Sequence, residues 1–400
     1  MPDLARRVRE APSSATVRLA DGAASLRRQG VDVLDFSAGR ATEHTPAYIC
    51  EAAAQAMHAG DTHQTMAQGK PAFREACARK LARENDLAVD PHTEVIATMG
   101  CKQGLLLALM ATLDPGDEIL VEDPGFVSYQ PAIRFCGGVP VPAPLRAEAG
   151  FRWQADDLEA ALSERTRALL FCSPHNPTGV VHTPDDLAVI AGVARRYDLT
   201  VIADETYERL AWGGRRHTSI ATLPGMAERT IGLMGVTKSF SMGGWRIGFA
   251  YAPASVVESM VVVQQHLMTC AGSFAQTGAA CALGEEIPGS VRALWDDWEQ
   301  RCRHVAAELD RLPGLSCAMP EGGFYAWIDI AATGWGSEAL AEHLLQAHHV
   351  TLVPGAAFGP RGEGYLRMTC VKSWDDLRRG LVRIEEGLAT LASTTPPTVR

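Results

Sequence analysis

From about Glu94 onward, short apolar runs rich in β-formers alternate with helical stretches. The runs are EVIATM (94–99), EILVED (118–123), GGVPVPAPL (137–145), RALLFCS (167–173), LTVIAD (199–204), TIGLMG (230–235) and IGFAYA (247–252). Helices are expected between them, one from Lys102 and one after Phe126. Such alternation predicts crossover units, and so a largely parallel sheet with helices on both faces. Ahead of this region, Leu34–Ser37 reads as a short strand entering a loop at Gly39, and the alanine-rich segment Ala47–His58 reads as a helix. Pro71 opens a further helix, PAFREACARKLAREN, where its missing N–H costs nothing.

Past Ile287 the pattern changes to a long charged helix, SVRALWDDWEQRCRHVAAELDRL, followed by GFYAWIDI, a helix at Ser337–His348, VTLVPG, GYLRMTC and a last helix near Asp375–Leu391. The fold class expected is α/β: a large domain (46–287) holding a mostly parallel seven-stranded sheet flanked by helices, with a smaller α+β domain built from both termini (1–45 and 288–400). The end of the chain, 394–400, reads as a disordered tail.

At 400 residues the chain is too long for one ordinary core, which fits this division. With 46% hydrophobic and 21% charged residues it has the composition of a soluble globular protein. A net charge of −10 without a basic patch argues against a nucleic-acid partner. No apolar run reaches membrane-spanning length, no signal peptide is evident, and the ten cysteines form neither a C-x-x-C pair nor a cluster at metal-ligand spacing. A cytoplasmic protein with reduced thiols, no membrane partner and no metal is the expectation.

Three polar motifs break the apolar pattern: SPHNPTG (173–179), ADETYERL (203–210) and VTKSFSMGGWRIG (236–248). Each alone has a bland reading. A loop lysine is usually a solvated charge, an Asp after a strand is usually a cap, and N-P-T-G is good turn chemistry by itself. Together they match the needs of pyridoxal 5'-phosphate: a lysine to hold the aldehyde as an imine, an acid opposite the ring nitrogen, donors on the phenolic oxygen and a cation on the phosphate. Lys238, Asp204, Asn176 with Tyr207, and Arg246 are the candidates in that order. Asp204 ends an apolar strand, so its carboxylate should emerge at the carboxyl edge of the sheet, where open α/β proteins bind ligands. The turn Gly100-Cys101-Lys102 feeds a helix whose first N–H groups suit a phosphate. Phe126 could stack on the ring, and Phe240 with Trp245 is expected to thin the water around Lys238.

On TMGCKQG (98–104), LDPGDEI (113–119), DPGFVSY (123–129), the three motifs above, PGAAFG (354–359) and GYLRMT (364–369), the chain resembles the class I/II aminotransferases of the fold-type I pyridoxal phosphate enzymes. The resemblance implies catalytic roles for Lys238, Asp204 and Tyr207. It implies cofactor contacts from Gly100, Cys101, Lys102, Phe126, Asn176, Asp204, Tyr207, Thr237, Lys238 and Arg246. Arg367 matches the arginine that binds the substrate α-carboxylate, with Gly39 and Asn176 beside it. The substrates implied are an L-amino acid and a 2-oxo acid, and the assembly a homodimer with shared active sites, segments near His63–Gly69 and Gln264–Ser273 reaching across.

Two positions depart from the family pattern. Gln64 stands where relatives carry a tyrosine donated to the neighbouring subunit's phosphate, and Gly39-Arg40-Ala41-Thr42 replaces a G-x-P-D loop. Arg40 borders the expected substrate and either meets an acidic side chain there or is simply solvated. Transamination is the leading expectation. The alternative spends the same carbanion in β- or γ-elimination, replacement or cyclisation; a non-catalytic regulator is disfavoured by the charge balance and the lack of a DNA-binding module.

Overall fold

The computed structural model describes residues 5–9 and 14–391, so the tail expected at 394–400 lies outside them. The strands are β1 (Leu34–Asp35), β2 (Val95–Thr98), β3 (Glu118–Asp123), β4 (Val139–Pro144), β5 (Thr166–Cys172) and β6 (Thr200–Asp204). They continue with β7 (Thr230–Met234), β8 (Gly248–Tyr251), β9 (Tyr325–Asp329), β10 (Val350–Thr351), β11 (Val353–Pro354) and β12 (Tyr365–Thr369). The helices are α1 (Arg6–Arg9), α2 (Ala15–Arg28), α3 (Ala47–His58), α4 (Pro71–Asn85), α5 (Cys101–Thr112), α6 (Tyr129–Phe135) and α7 (Ala155–Ala160). After them come α8 (Pro184–Arg196), α9 (Ala254–Leu267), α10 (Ser273–Ala282), α11 (Gly289–Asp310), α12 (Ser337–His348) and α13 (Trp374–Leu391).

The main sheet has seven strands in the order β2-β8-β7-β6-β5-β3-β4. Strands β4, β3, β5, β6 and β7 are mutually parallel, and β8 runs antiparallel to both β7 and β2. Every residue of β3, β7 and β8 is buried, so their centres are apolar throughout rather than alternating, the acidic residues of β3 standing at its ends. Crossover helices cover both faces. In α8 the sequence Thr183-Pro184-Asp185-Asp186 makes a capping box: Thr183 Oγ1 accepts from the Asp186 amide at 3.2 Å and Asp186 Oδ2 accepts from the Thr183 amide at 2.7 Å. Such a cap contributes about 1 kcal/mol and fixes where the crossover turns back.

A second, smaller layer system closes the chain. Strands β11-β12-β9 form an antiparallel sheet, with Arg367 opposite Trp327 on one side and Val353 on the other. The two-residue β1 pairs in parallel with β10, Leu34 facing Val350 and Asp35 facing Thr351. The segment after β1 thereby leads from this C-terminal layer directly onto the carboxyl edge of the main sheet. Helices α11 and α13 present their apolar faces to it through residues such as Trp298, Val305, Leu377 and Ile384. Among the described residues no helix is long and apolar enough to cross a membrane.

Candidate active site

Parallel strands end at one edge, so whatever follows β3, β5, β6 and β7 meets there. That topology converts a sequence scatter into one cavity of about 620 Å³, a size that suits a small cofactor with its substrate. Gly39, Arg40, Gly100, Cys101, Lys102, Phe126, Asn176, Asp204, Tyr207, Thr237, Lys238, Arg246 and Arg367, all singled out in the sequence, line it together. Gln64, by contrast, is exposed on the surface and does not line this cavity.

Lys238 Nζ donates to the Gly39 carbonyl at 2.8 Å, across 199 residues of chain. Its ammonium lies 5.6 Å from the Tyr207 ring centroid and 5.7 Å from that of Phe324. These are the rings beside the lysine; Phe240 packs on Trp295, and Trp245 donates its indole N–H to Thr45 at 3.0 Å. The expectation for Phe240 and Trp245 is corrected accordingly: local sequence distance pointed at them, while the fold turns them into the core under α3 and α10.

Asp204 is buried at the end of β6, where Oδ2 accepts from the Tyr129 hydroxyl at 2.8 Å and Oδ1 from the Thr206 amide at 3.2 Å. Burial pushes its carboxyl up to about 6, against the pull of those two donors and of Lys238. A carboxylate held in this state gains most from a cation placed against it. Tyr129 went unnoticed in the sequence; its place in DPGFVSY, one helical turn after Phe126, is the signal that could have found it. The Phe126 ring meets it edge-on, with centroids 5.4 Å apart.

Arg367 is fully buried on β12, donating to Asn176 Oδ1 and to the Ser37 carbonyl, each at 2.8 Å. Its guanidinium stacks 4.1 Å from the Tyr325 ring centroid, and its Nε has no partner. A buried cation with an unused donor is costly unless an anion reaches it. Tyr325, also unread in the sequence, bonds the Tyr207 hydroxyl at 3.0 Å and roofs Gly39, whose absent Cβ would lie 1.8 Å from the Tyr325 hydroxyl oxygen. Gly39→Ala is therefore expected to force Tyr325 aside and to lower stability by about 1–3 kcal/mol, measured by chemical denaturation.

At the far end, α5 points its first amides, those of Cys101 and Lys102, into the cavity, since the opening N–H groups of a helix have no intrahelical acceptor. Gly100 is left-handed at φ 79°, and a Cβ there would come 3.0 Å from the Arg246 guanidinium. Arg246 itself is left-handed at φ 51°, donating to the carbonyls of Gly243 and Met99 at 3.1 and 3.3 Å, with its charge otherwise unpaired. Two backbone amides, a guanidinium and the Thr237 hydroxyl make a cup for a phosphate dianion. The Cys101 thiol, pushed up to about 12 by burial, is no nucleophile. The Lys102 ammonium stands 5.4 Å from the Phe126 centroid and is pulled down by burial and by Arg246 and Lys238.

Helix-start amides with a guanidinium, the Phe126 ring, a buried acid and a lysine on one cavity fit pyridoxal 5'-phosphate. Comparison with known proteins points the same way. Residues 31–384 match the model of the family described as aminotransferase class I and II. The chain is 39% identical over 372 residues to an aspartate aminotransferase of Pyrococcus abyssi, covering 93% of this chain and 94% of that one. It is 36% identical to an arginine–pyruvate transaminase of Pseudomonas aeruginosa, covering 89% and 90%. Among solved structures, the aspartate aminotransferase of Thermus thermophilus with maleate superposes with a TM-score of 0.91 at 36% identity, covering 97% of this chain and all of that one.

Proposed function

This chain belongs to the class I and II aminotransferases, pyridoxal phosphate-dependent enzymes that move an amino group from an amino acid to a 2-oxo acid, and we propose how its own residues divide that work. Lys238 is the residue that holds the cofactor covalently and, once displaced by the substrate amine, moves the proton at the substrate Cα. When bound, the cofactor supplies an electron sink for the pair left at that carbon. With the cofactor bound, Asp204 would hold the proton on the ring nitrogen, Asn176 and Tyr207 would serve as donors to the phenolic oxygen, and Phe126 would flank the ring. Arg367 receives the substrate α-carboxylate on the donor left unpaired at its Nε. The observation that carries this reading is the convergence of Lys238, Asp204, Asn176 and Arg367, spread over 192 positions, on one cavity. The relatives named above are all aminotransferases, which favours transamination over elimination or cyclisation.

The substrate side chain is read as acidic. Lys102 and Arg40 stand on the cavity wall, where Asp204 and Asp21, on α2, are the carboxylates, and the Thermus relative was solved with a dicarboxylate. A cytoplasmic setting suits the ten unpaired cysteines. A second copy of the chain is the partner that the exposed Met66, Val262, Leu267, Met268 and Phe274 call for.

The test is a half-reaction. Holoenzyme given aspartate or glutamate and no acceptor should release one equivalent of oxo acid and stop, with the cofactor converted to its amine form. Release of ammonia, or continued turnover, would sink the transamination reading. Lys102→Ala should raise KM for dicarboxylic substrates about 10-fold while leaving neutral amino acids near their original values, the loss of one charge-assisted contact. An equal effect on both classes would remove Lys102 from side-chain recognition.

A further inference from the structure

Behind the cavity wall lies a buried pair that the reaction described above does not use. Glu122 is the last residue but one of β3 and His175 sits in the SPHNPTG loop, both 1% exposed. Glu122 Oε2 accepts from the Cys172 amide at 3.0 Å and faces His175 Nε2 at 3.3 Å. On its other side His175 Nδ1 meets the Thr178 hydroxyl at 2.6 Å, which holds the ring through that nitrogen. With Glu122 ionised, its carboxylate places a negative charge here, within ion-pair distance of His175 Nε2.

The position of that charge matters. Cys172, which donates to Glu122, is the residue directly opposite Asp204 in the β5–β6 register, and Tyr129, which donates to Asp204, lines the same 210 Å³ side cavity as Glu122. The remaining oxygen, Oε1, is buried without a hydrogen-bond partner among the described residues, although the Glu122 side chain borders that cavity. The other charged and titratable groups around it are accounted for. Arg134 lines the far part of the cavity, Asp123 is turned away to accept from the Arg361 amide at 3.1 Å, and His182 is held neutral by burial that pulls it down to about 3. Burial, the largest effect, raises the Glu122 carboxyl above the usual carboxylate range, against the pull of His175 and of the Cys172 amide.

We propose that Glu122 and His175 are a buried positioning pair, which anchors the loop carrying Asn176 and sets a second negative charge behind Asp204 that strengthens its hold on the cofactor's ring proton. Two carboxylates one strand apart each resist losing a nearby cation, so the outer charge raises the proton affinity of the ring nitrogen without touching it. The loop anchor acts on the neighbouring residue: the His175 amide donates to the Val180 carbonyl at 2.7 Å and Asn176 accepts from Arg367. This inference rests on the reading of Asp204 as the ring-nitrogen partner.

The test uses holoenzyme loaded with cofactor isotopically labelled at the ring nitrogen, followed by NMR as pH is varied. Glu122→Gln keeps the shape and an acceptor for both donors but removes the charge. It should lower the ring-nitrogen titration midpoint by on the order of half a pH unit or more, with cofactor occupancy unchanged. His175→Asn should shift it the same way, because Glu122 without its imidazole partner takes up a proton in its buried site. A merely structural pair would leave the midpoint where it is even if activity fell, so an unchanged midpoint in whichever variant folds overturns the proposal. Asp204→Asn is the control: if the ring nitrogen keeps its proton in that variant, the reading of Asp204 fails; if it loses the proton while Glu122→Gln shifts nothing, only the present inference fails.

Discussion

Lys238→Ala is expected to abolish covalent retention of the cofactor and to cut kcat by about 10⁴-fold or more, because one side chain supplies both the attachment and the base. The geometry leaves no substitute. Within the cavity the other amine is that of Lys102, which stands over Phe126 on the opposite side of the slot, and the groups beside Lys238 are the Gly39 carbonyl and the rings of Tyr207 and Phe324. Lys238→Arg should fail equally, since it restores the charge and the bond to Gly39 but offers no nucleophile at neutral pH. Dialysis followed by visible absorption reads the attachment, and rapid mixing with an amino acid reads the proton transfer. Survival of the lysine-linked absorption in Lys238→Ala would overturn the assignment.

Asp204→Asn should separate stability from function in opposite directions. In the cofactor-free protein, burial raises this carboxyl from 3.8 to about 6. For an acid whose folded value lies above its unfolded one, the favourable contribution is present below 3.8 and is lost as pH rises through about 6. A shift of about two units corresponds to about 3 kcal/mol at neutral pH, an upper figure for a fully buried group. Asparagine accepts from Tyr129 and carries no charge to desolvate, so the cofactor-free variant should melt higher than the unaltered protein at neutral pH, the two converging in acid. With cofactor bound the order reverses, and kcat should fall about 10²–10³-fold for want of an anion against the ring nitrogen. Superimposable melting profiles of the two cofactor-free proteins would show that the carboxylate is not paying a desolvation cost.

The strands and the glycine and proline punctuation of this chain were legible because covered parallel strands must be short and apolar, and because Pro71 can stand only where a helix begins. Helices α3, α4 and α12 fall at the residues expected for them. Helix α2 was not read, although its residues Thr16, Val17 and Ala20 wall the cavity; with a glycine inside it and no side-chain cap at Ser14, it lacks the usual start signal. Lys238, Asp204 and Asn176 stood out in polar motifs set between apolar runs, whereas Arg367 came only from the family resemblance of GYLRMT. Tyr129 and Tyr325 did not, because a tyrosine inside a helix or strand looks like core until register shows where its hydroxyl points. The rings around Lys238 were misread for the same reason: Phe240 and Trp245 are near in sequence, whereas Tyr207 and Phe324 arrive from other elements.

The bond from Arg367 to the Ser37 carbonyl spans 330 residues, and that from Lys238 to Gly39 spans 199. Contacts of such sequence separation form only once both distant segments are present. A nascent chain therefore cannot complete this cavity until β12 has been synthesised and docked, and a ribosome-bound fragment ending before Arg367 lacks the carboxylate-binding arm even with its main sheet whole. Binding of the substrate carboxylate thus serves as a report that β12 is in place.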